Sequence, residues 1–232
     1  MRRNFLLRLL PAFSLVIGIG VPAASAVVQD RITTSVSSSN QVAIPDSVHP
    51  KVKLATDLGP AASDKKLQSM SLRFSMTPAQ TAALDQLLID QQNPSSPRYH
   101  QWLTPAQYGA QFGLSGADIA KVTAWLSSEG FTVTGVANGG TFVTFDGTVG
   151  QAQTAFATSI HTLSLNGETH FANVTDVSVP SALAGVVMGI TGLHDFRLKP
   201  RIQKADALRP QYTLAATGNH YMAPGDFYKI YN

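Results

Sequence analysis

Along this chain the apolar positions first fall into a strict pattern at residues 67–74, where Met70, Leu72 and Phe74 alternate with Ser69, Ser71 and Arg73. A period of two belongs to a strand with one face buried and one in water, so a half-buried strand is predicted here. The period then changes. Thr77-Pro78-Ala79-Gln80 sets a hydroxyl before a proline with a glutamine three residues on, and Leu84, Leu87 and Leu88 follow at helical spacing. The hydroxyl and the glutamine can each satisfy an orphan backbone N–H, and proline fits the first helical position, so a helix starts at Pro78. The same tetrapeptide recurs at Thr104-Pro105-Ala106-Gln107, opening a shorter helix through Tyr108 and Phe112 that Gly113 ends. Asn93-Pro94-Ser95-Ser96-Pro97 between them is a loop, because each proline disfavours helix in the residue before it. A third helix is capped by Ser115-Gly116-Ala117-Asp118, with Ile119, Val122 and Leu126 on one face, Trp125 beside them and Gly130 as a left-handed stop.

Residues 131–136 and 141–146 are rich in β-branched and aromatic side chains, and Asn138-Gly139-Gly140 joins them as a hairpin. Thr148-Val149-Gly150-Gln151 opens a fourth helix through Ala152, Ala155 and Phe156, and a second hairpin folds residues 160–165 onto 168–172 around Asn166-Gly167. The order strand, helices, strand, strand, helix, strand defines an α+β domain of ferredoxin-like (split βαβ) type. In it, helices cover one face of an antiparallel sheet. Residues 180–193 are expected to add a turn of helix and a small strand at 186–190. Trp102, Trp125, Phe131, Phe142, Phe145 and Phe156 are expected in the core.

The ends differ in character. Arg2, Arg3 and Arg8 precede an apolar run that reaches the small-x-small end Ala24-Ser25-Ala26, the layout of an export signal cleaved after Ala26. The uncharged stretch barely attains the ~18 residues of a membrane span, and Pro11, Gly18, Gly20 and Pro22 interrupt it. Arg2-Arg3-Asn4-Phe5-Leu6 looks like a twin-arginine address, and a general secretory signal fits as well. Either places the product outside the cytoplasm, secreted or periplasmic, with no membrane attachment after removal. Residues 27–66, broken by Ser37-Ser38-Ser39-Asn40 and Asp57-Leu58-Gly59-Pro60, read as an extended lead-in with little core of its own. The domain proper is expected over 67–196. Residues 197–220 form a linker carrying Arg197, Lys199, Arg201, Lys204 and Arg209 against a lone Asp206, and residues 221–232 begin a new element.

Charge and composition narrow the chemistry. The formal charge of +3 is matched by the three arginines of the leader, so the rest is close to neutral. No dense basic run interleaved with aromatics suggests nucleic acid. With no cysteine, disulfides and thiol chemistry are excluded. Glutamate occurs only at Glu129 and Glu168, and Asp85 and Asp90 lie on different helix faces, so paired-carboxylate catalysis has no basis. The six histidines are scattered without metal-ligand spacing. No Gly-x-Ser-x-Gly occurs, and the neighbours His194 and Asp195 read as a polar turn rather than half of a catalytic triad. No catalytic residue, metal site or cofactor is expected in this chain.

One family shares its residues. Ser96-Pro97-Arg98-Tyr99-His100-Gln101-Trp102-Leu103-Thr104-Pro105 resembles the Ser-x-x-Tyr-x-x-x-Leu-Thr signature of the pro-kumamolisin activation domain, the prosegment of sedolisin-type serine-carboxyl peptidases. Asp57-Leu58-Gly59-Pro60 leading to Leu72-Arg73, Trp125 to Phe131, and Phe145-Asp146-Gly147 through Ala155-Phe156 agree with that family in order and spacing. The segment from Tyr221 to Asn232 is similar to the opening of the peptidase domain that follows. The resemblance implies the ferredoxin-like topology. It also implies a propeptide role, as intramolecular chaperone and inhibitor of a cognate peptidase domain in cis or in trans, removed by proteolysis at acid pH. It places catalytic Ser, Glu and Asp residues and a calcium site in the peptidase domain, none of them here. The expected processing region holds Lys199, Arg201, Lys204, Arg209, His220 and Tyr221, and His194 and His220 are candidate pH-sensing groups. A stand-alone secreted inhibitor or binding domain is the alternative.

Overall fold

The computed structural model of the chain describes residues 28–197. Two short strands, β1 (Gln41–Ala43) and β2 (Thr56–Pro60), flank a 3-10 turn at Pro50–Leu54. Then come β3 (Lys66–Phe74), α1 (Pro78–Gln92), α2 (Pro105–Phe112), α3 (Gly116–Ser128), β4 (Thr132–Val136), β5 (Phe142–Thr148) and α4 (Val149–Ala155). The hairpin β6 (Ile160–Leu165) and β7 (Glu168–Asn173) is followed by β8 (Ser178–Pro180) and β9 (Val187–Thr191).

Every predicted helix start is realised by its cap. Thr77, Thr104 and Thr148 each accept from the N–H of the glutamine three residues on, and Gln80, Gln107 and Gln151 reach back to the cap. Ser115 accepts from Asp118 N–H, and Gly130 (φ 87°) takes the left-handed conformation just past α3.

An antiparallel sheet in the order β4-β5-β3-β9 carries the split βαβ path: β3 crosses through helices to β4, and β5 crosses through α4 to β9. The fold is thus α+β, as read, with one strand reassigned. The place expected for residues 160–165 belongs to β9, where Ile190 pairs with Leu72 and Val187 with Phe74. β6 instead sits in a second sheet, β2-β6-β7. Both segments follow α4 and both carry apolar residues, so periodicity alone does not choose between them; the pairing does.

Met70, Leu72, Val143 and Phe145 from the sheet meet Val122, Trp125 and Leu126 of α3 and Val149, Ala152 and Ala155 of α4 in one buried cluster. Phe131, Phe145 and Phe156 form its aromatic centre. α1 stands apart: among its residues only Leu87 and Gln91 are buried, and Leu88 and Ile89 face solvent. α2 is held to the β4–β5 turn by close backbone contact. A Cβ on Gly109 would lie 2.7 Å from the Asn138 carbonyl oxygen, and one on Gly113 would lie 2.6 Å from that of Gly139.

Three sequence expectations change. Trp102 is 61% exposed rather than core, and Phe142 is half-buried, with the Arg73 guanidinium 5.4 Å from its ring centre. The segment before residue 67 is not a loose lead-in. Ile32 is 1% exposed within the main core, β1 pairs with β8, and β2 pairs with β6. Its anchor is Asp118, fully buried at the third position of α3, whose carboxylate accepts from Ile32 N–H (3.2 Å) and from Arg31 N–H. Lys121 Nζ completes the joint, lying 3.3 Å from that carboxylate while donating to the Ile32 carbonyl. The Arg31 guanidinium donates to the carbonyls of Ser75 and Gly185, joining the segment to the ends of the chain around β3 and β9.

Candidate docking surfaces and the domain exit

Two imidazole–carboxylate pairs are the nearest approach to acid–base machinery. His161 Nδ1 lies 2.7 Å from Asp57, and His170 Nδ1 lies 3.1 Å from Asp195 with its Nε2 3.7 Å from Glu168. The Asp57 carboxyl is held below the usual carboxylate range, chiefly by the Gly59 N–H and then by His161. An imidazole oriented by a carboxylate becomes catalytic when a hydroxyl or thiol faces its other nitrogen. Among the described residues no such nucleophile is hydrogen-bonded to either ring. Nor, among them, do three His, Cys, Asp or Glu side chains gather as metal ligands. Three other features stand out among the described residues, two surfaces and the chain's exit from the domain.

The first is the face of the main sheet turned away from α3 and α4. Successive side chains on a strand alternate faces, so Met70, Leu72, Val143 and Phe145 point inward, and Ser71, Arg73, Thr144 and Asp146 point outward. Register places Thr132 opposite Asp146 and Ser71 opposite both Thr144 and Thr191. Hydroxyls pair across the strands, Thr134 with Thr144 at 3.0 Å and Ser71 with Thr191 at 2.7 Å. Short polar side chains line this face, Ser71 among them buried, and the Arg73 guanidinium lies over the Phe142 ring.

The second is the loop between α1 and α2, which carries the family signature. His100 takes the left-handed conformation (φ 56°) and turns the chain back. The loop is tied to α1 because Gln91 donates to the Gln101 carbonyl (2.6 Å) and His100 N–H donates to that of Gln91 (3.2 Å). Tyr99 stacks on His100 at 3.8 Å between ring centres, and Trp102 stacks on the same imidazole at 5.9 Å. Tyr99, Trp102, Leu88 and Ile89 are all exposed, the aromatic and apolar character that interface centres favour.

The third feature is the exit. After β9 the chain runs beside β7, with His194 bridged to Ala172 and Asp195 N–H donating to the Phe171 carbonyl. Phe196, 7% exposed, ends this run inside a small cluster with Leu163 and Ala172. Three imidazoles surround it: His170 at 4.8 Å, His49 at 5.0 Å and His194 at 5.9 Å between ring centres. Burial, and then the neighbouring His49, push the His194 imidazole below its ordinary value, against an opposing pull from Asp195.

Of the candidate site residues, only His194 falls within the described structure. Ala24, Ala26, Lys199, Arg201, Lys204, Arg209, His220 and Tyr221 lie outside the described residues. No helix among the described residues is long and apolar enough to cross a membrane. Asp118 and the imidazole ring around Phe196 escaped the sequence reading. Asp118 did leave a trace: it stands where the other three capped helices carry glutamine.

The fold defines the class: an α+β domain of split βαβ topology. Pro-kumamolisin, activation domain, is the family whose pattern matches residues 53–196, and the chain belongs to it. That match begins before residue 67, in keeping with the structural role of β2. Xanthomonalisin of Xanthomonas sp. (strain T-22) is 35% identical over 117 residues, 50% of this chain and 14% of that protein. Sedolisin of Pseudomonas sp. (strain 101) is 28% identical over 151 residues, 65% of this chain and 26% of that protein. The chain thus covers well under two thirds of the length of either relative.

Proposed function

We propose that this chain is the propeptide portion of an exported sedolisin-type peptidase precursor, acting as folding aid and inhibitor of its peptidase domain until acid-stimulated proteolysis removes it. The observation that carries this reading is the family match over residues 53–196, together with relatives far longer than the matched stretch. The physics suits the role. A domain that binds the native peptidase and not its unfolded chain adds stability by linkage. Covalent attachment supplies an effective concentration on the order of millimolar, so a modest intrinsic affinity keeps a cleft closed. The hydroxyl-rich sheet face and the Tyr99–Trp102 loop are the surfaces for that contact. Residues 197–220 are the segment that is cut, with Lys199, Arg201, Lys204, Arg209, His220 and Tyr221 in the processing region. His194 and His220 are the groups that sense acid, and the leader ending at Ala24-Ser25-Ala26 is the export signal.

Joining the chain to a sedolisin-type peptidase domain and determining the N-terminus of the matured enzyme by mass spectrometry tests this reading. The expected new N-terminus falls between residues 195 and 225. Cleavage outside that range, or an enzyme active without any cleavage, counts against it.

A further inference from the structure

The histidines around Phe196 give the acid sensing proposed for His194 a local geometry, and it is His49 that completes it. His49 caps the 3-10 turn Pro50–Leu54 by accepting from Lys51 N–H at Nδ1 (3.2 Å). An accepting nitrogen has no proton, so this cap exists only while His49 is neutral. His194 Nδ1 is buried and has no hydrogen-bond partner. A charged imidazole needs partners for both its N–H groups, and burying one unpaired is costly. The two rings face each other at 4.5 Å between centres, tilted by 52°. At that distance two positive charges repel, and Lys51, whose ammonium lies 5.8 Å from the Phe196 ring centre, adds a third on the same side.

We propose that His49 and His194, whose tilted rings pack against each other and against Phe196, form an acid-sensitive latch that holds residues 193–196 on β7 while both are neutral and releases them when protons are taken up.

Other charged groups face the latch from β7, the exit segment and the 3-10 turn. His170, on β7, faces the carboxylates of Asp195 and Glu168. Asp195 partly offsets a charge on His194, yet its Oδ1 is already engaged by His170 and by the Phe171 N–H (3.1 Å). Lys51 opposes protonation of His194.

The sign of the effect follows from linkage. His194 sits below the ordinary value of 6.5 in the folded chain, for burial first and the His49 charge second. The open form therefore binds more protons. The closed latch is fully favoured above pH 6.5, the value His194 regains when exposed, and is lost progressively as pH falls from there toward the lowered folded value. Each proton taken up on opening multiplies the open population by about ten per pH unit across that window.

The latch concerns only described residues and stands whether or not the domain guards a peptidase. The test is amide hydrogen exchange of the full chain at pH 7 and pH 5, corrected for intrinsic exchange. The amides of Asn173 and Asp195, bonded to the carbonyls of Leu193 and Phe171, are expected to exchange about tenfold or more faster at pH 5, while β3 and β5 stay protected. The double variant His49→Gln with His194→Gln is expected to reduce that pH effect to about twofold or less. Equal acceleration in the double variant, or none in the unaltered chain, overturns the proposal. NMR titration of the imidazole resonances of the unaltered chain is a check that needs no variant. A His194 ring that gains its proton at or above pH 6.5 also overturns it.

Discussion

Phe145→Ala is expected to lower the free energy of unfolding by about 3–5 kcal/mol. Phe145 is fully buried at the middle of β5, opposite Met70 on one side and Val133 on the other. Its ring meets Phe131 edge-on at 5.0 Å and lies 6.1 Å from Phe156, while Phe131 and Phe156 stack at 5.6 Å. Truncation removes the transfer energy of a whole aromatic ring and leaves a cavity walled by the sheet, α3 and α4, which have little room to collapse. Urea unfolding followed by tryptophan fluorescence measures the loss, because Trp125 lies 5.9 Å from Phe156 in the same cluster. Trp102→Ala is the contrast. Its ring is mostly in solvent, so a change within about 0.5 kcal/mol is expected despite the larger side chain.

Asp118→Ala is expected to cost about 3 kcal/mol. The carboxylate is fully buried and holds the N–H groups of Arg31 and Ile32 together with Lys121 Nζ. Alanine orphans two backbone donors in the interior and leaves the ammonium without its counter-charge. The loss has a direction as well as a size. Since Asp118 ties residues 31 and 32 to α3, amide protection is expected to vanish first across residues 31–44, before the main sheet opens. Loss spread evenly over the domain would show that the N-terminal segment is held by its other contacts, such as Ile32 in the core and Arg31 on Ser75 and Gly185.

The parts of this fold visible in the sequence are those decided locally. Thr-Pro-Ala-Gln starts a helix wherever it occurs, because hydroxyl, proline and glutamine act within one turn of backbone. Asn138-Gly139-Gly140 and Asn166-Gly167 make hairpins for the same reason. What stayed hidden depends on distant partners. Two strands follow α4, and only the free edge of β3 selects β9 over β6. Trp102 is apolar by type yet 61% exposed, although the two residues before it are bound to Gln91 of α1. Asp118 meets residues more than eighty positions earlier. His49, His170 and His194 lie in three separate stretches of sequence and meet only when the exit crosses β7 beside the 3-10 turn. Of the candidate site, His194 was marked by its position at the end of the domain, and its neighbours by nothing in the sequence.

The central claim is that this domain binds and restrains a sedolisin-type peptidase. The most direct measurement is inhibition of the mature peptidase domain of sedolisin by the purified chain added in trans, over a range of chain concentrations near neutral pH and at acid pH. The account predicts saturable inhibition with a dissociation constant of about micromolar or tighter near neutrality, weakening at acid pH where the exit opens. Full peptidase activity at every concentration of chain, at both pH values, would contradict it.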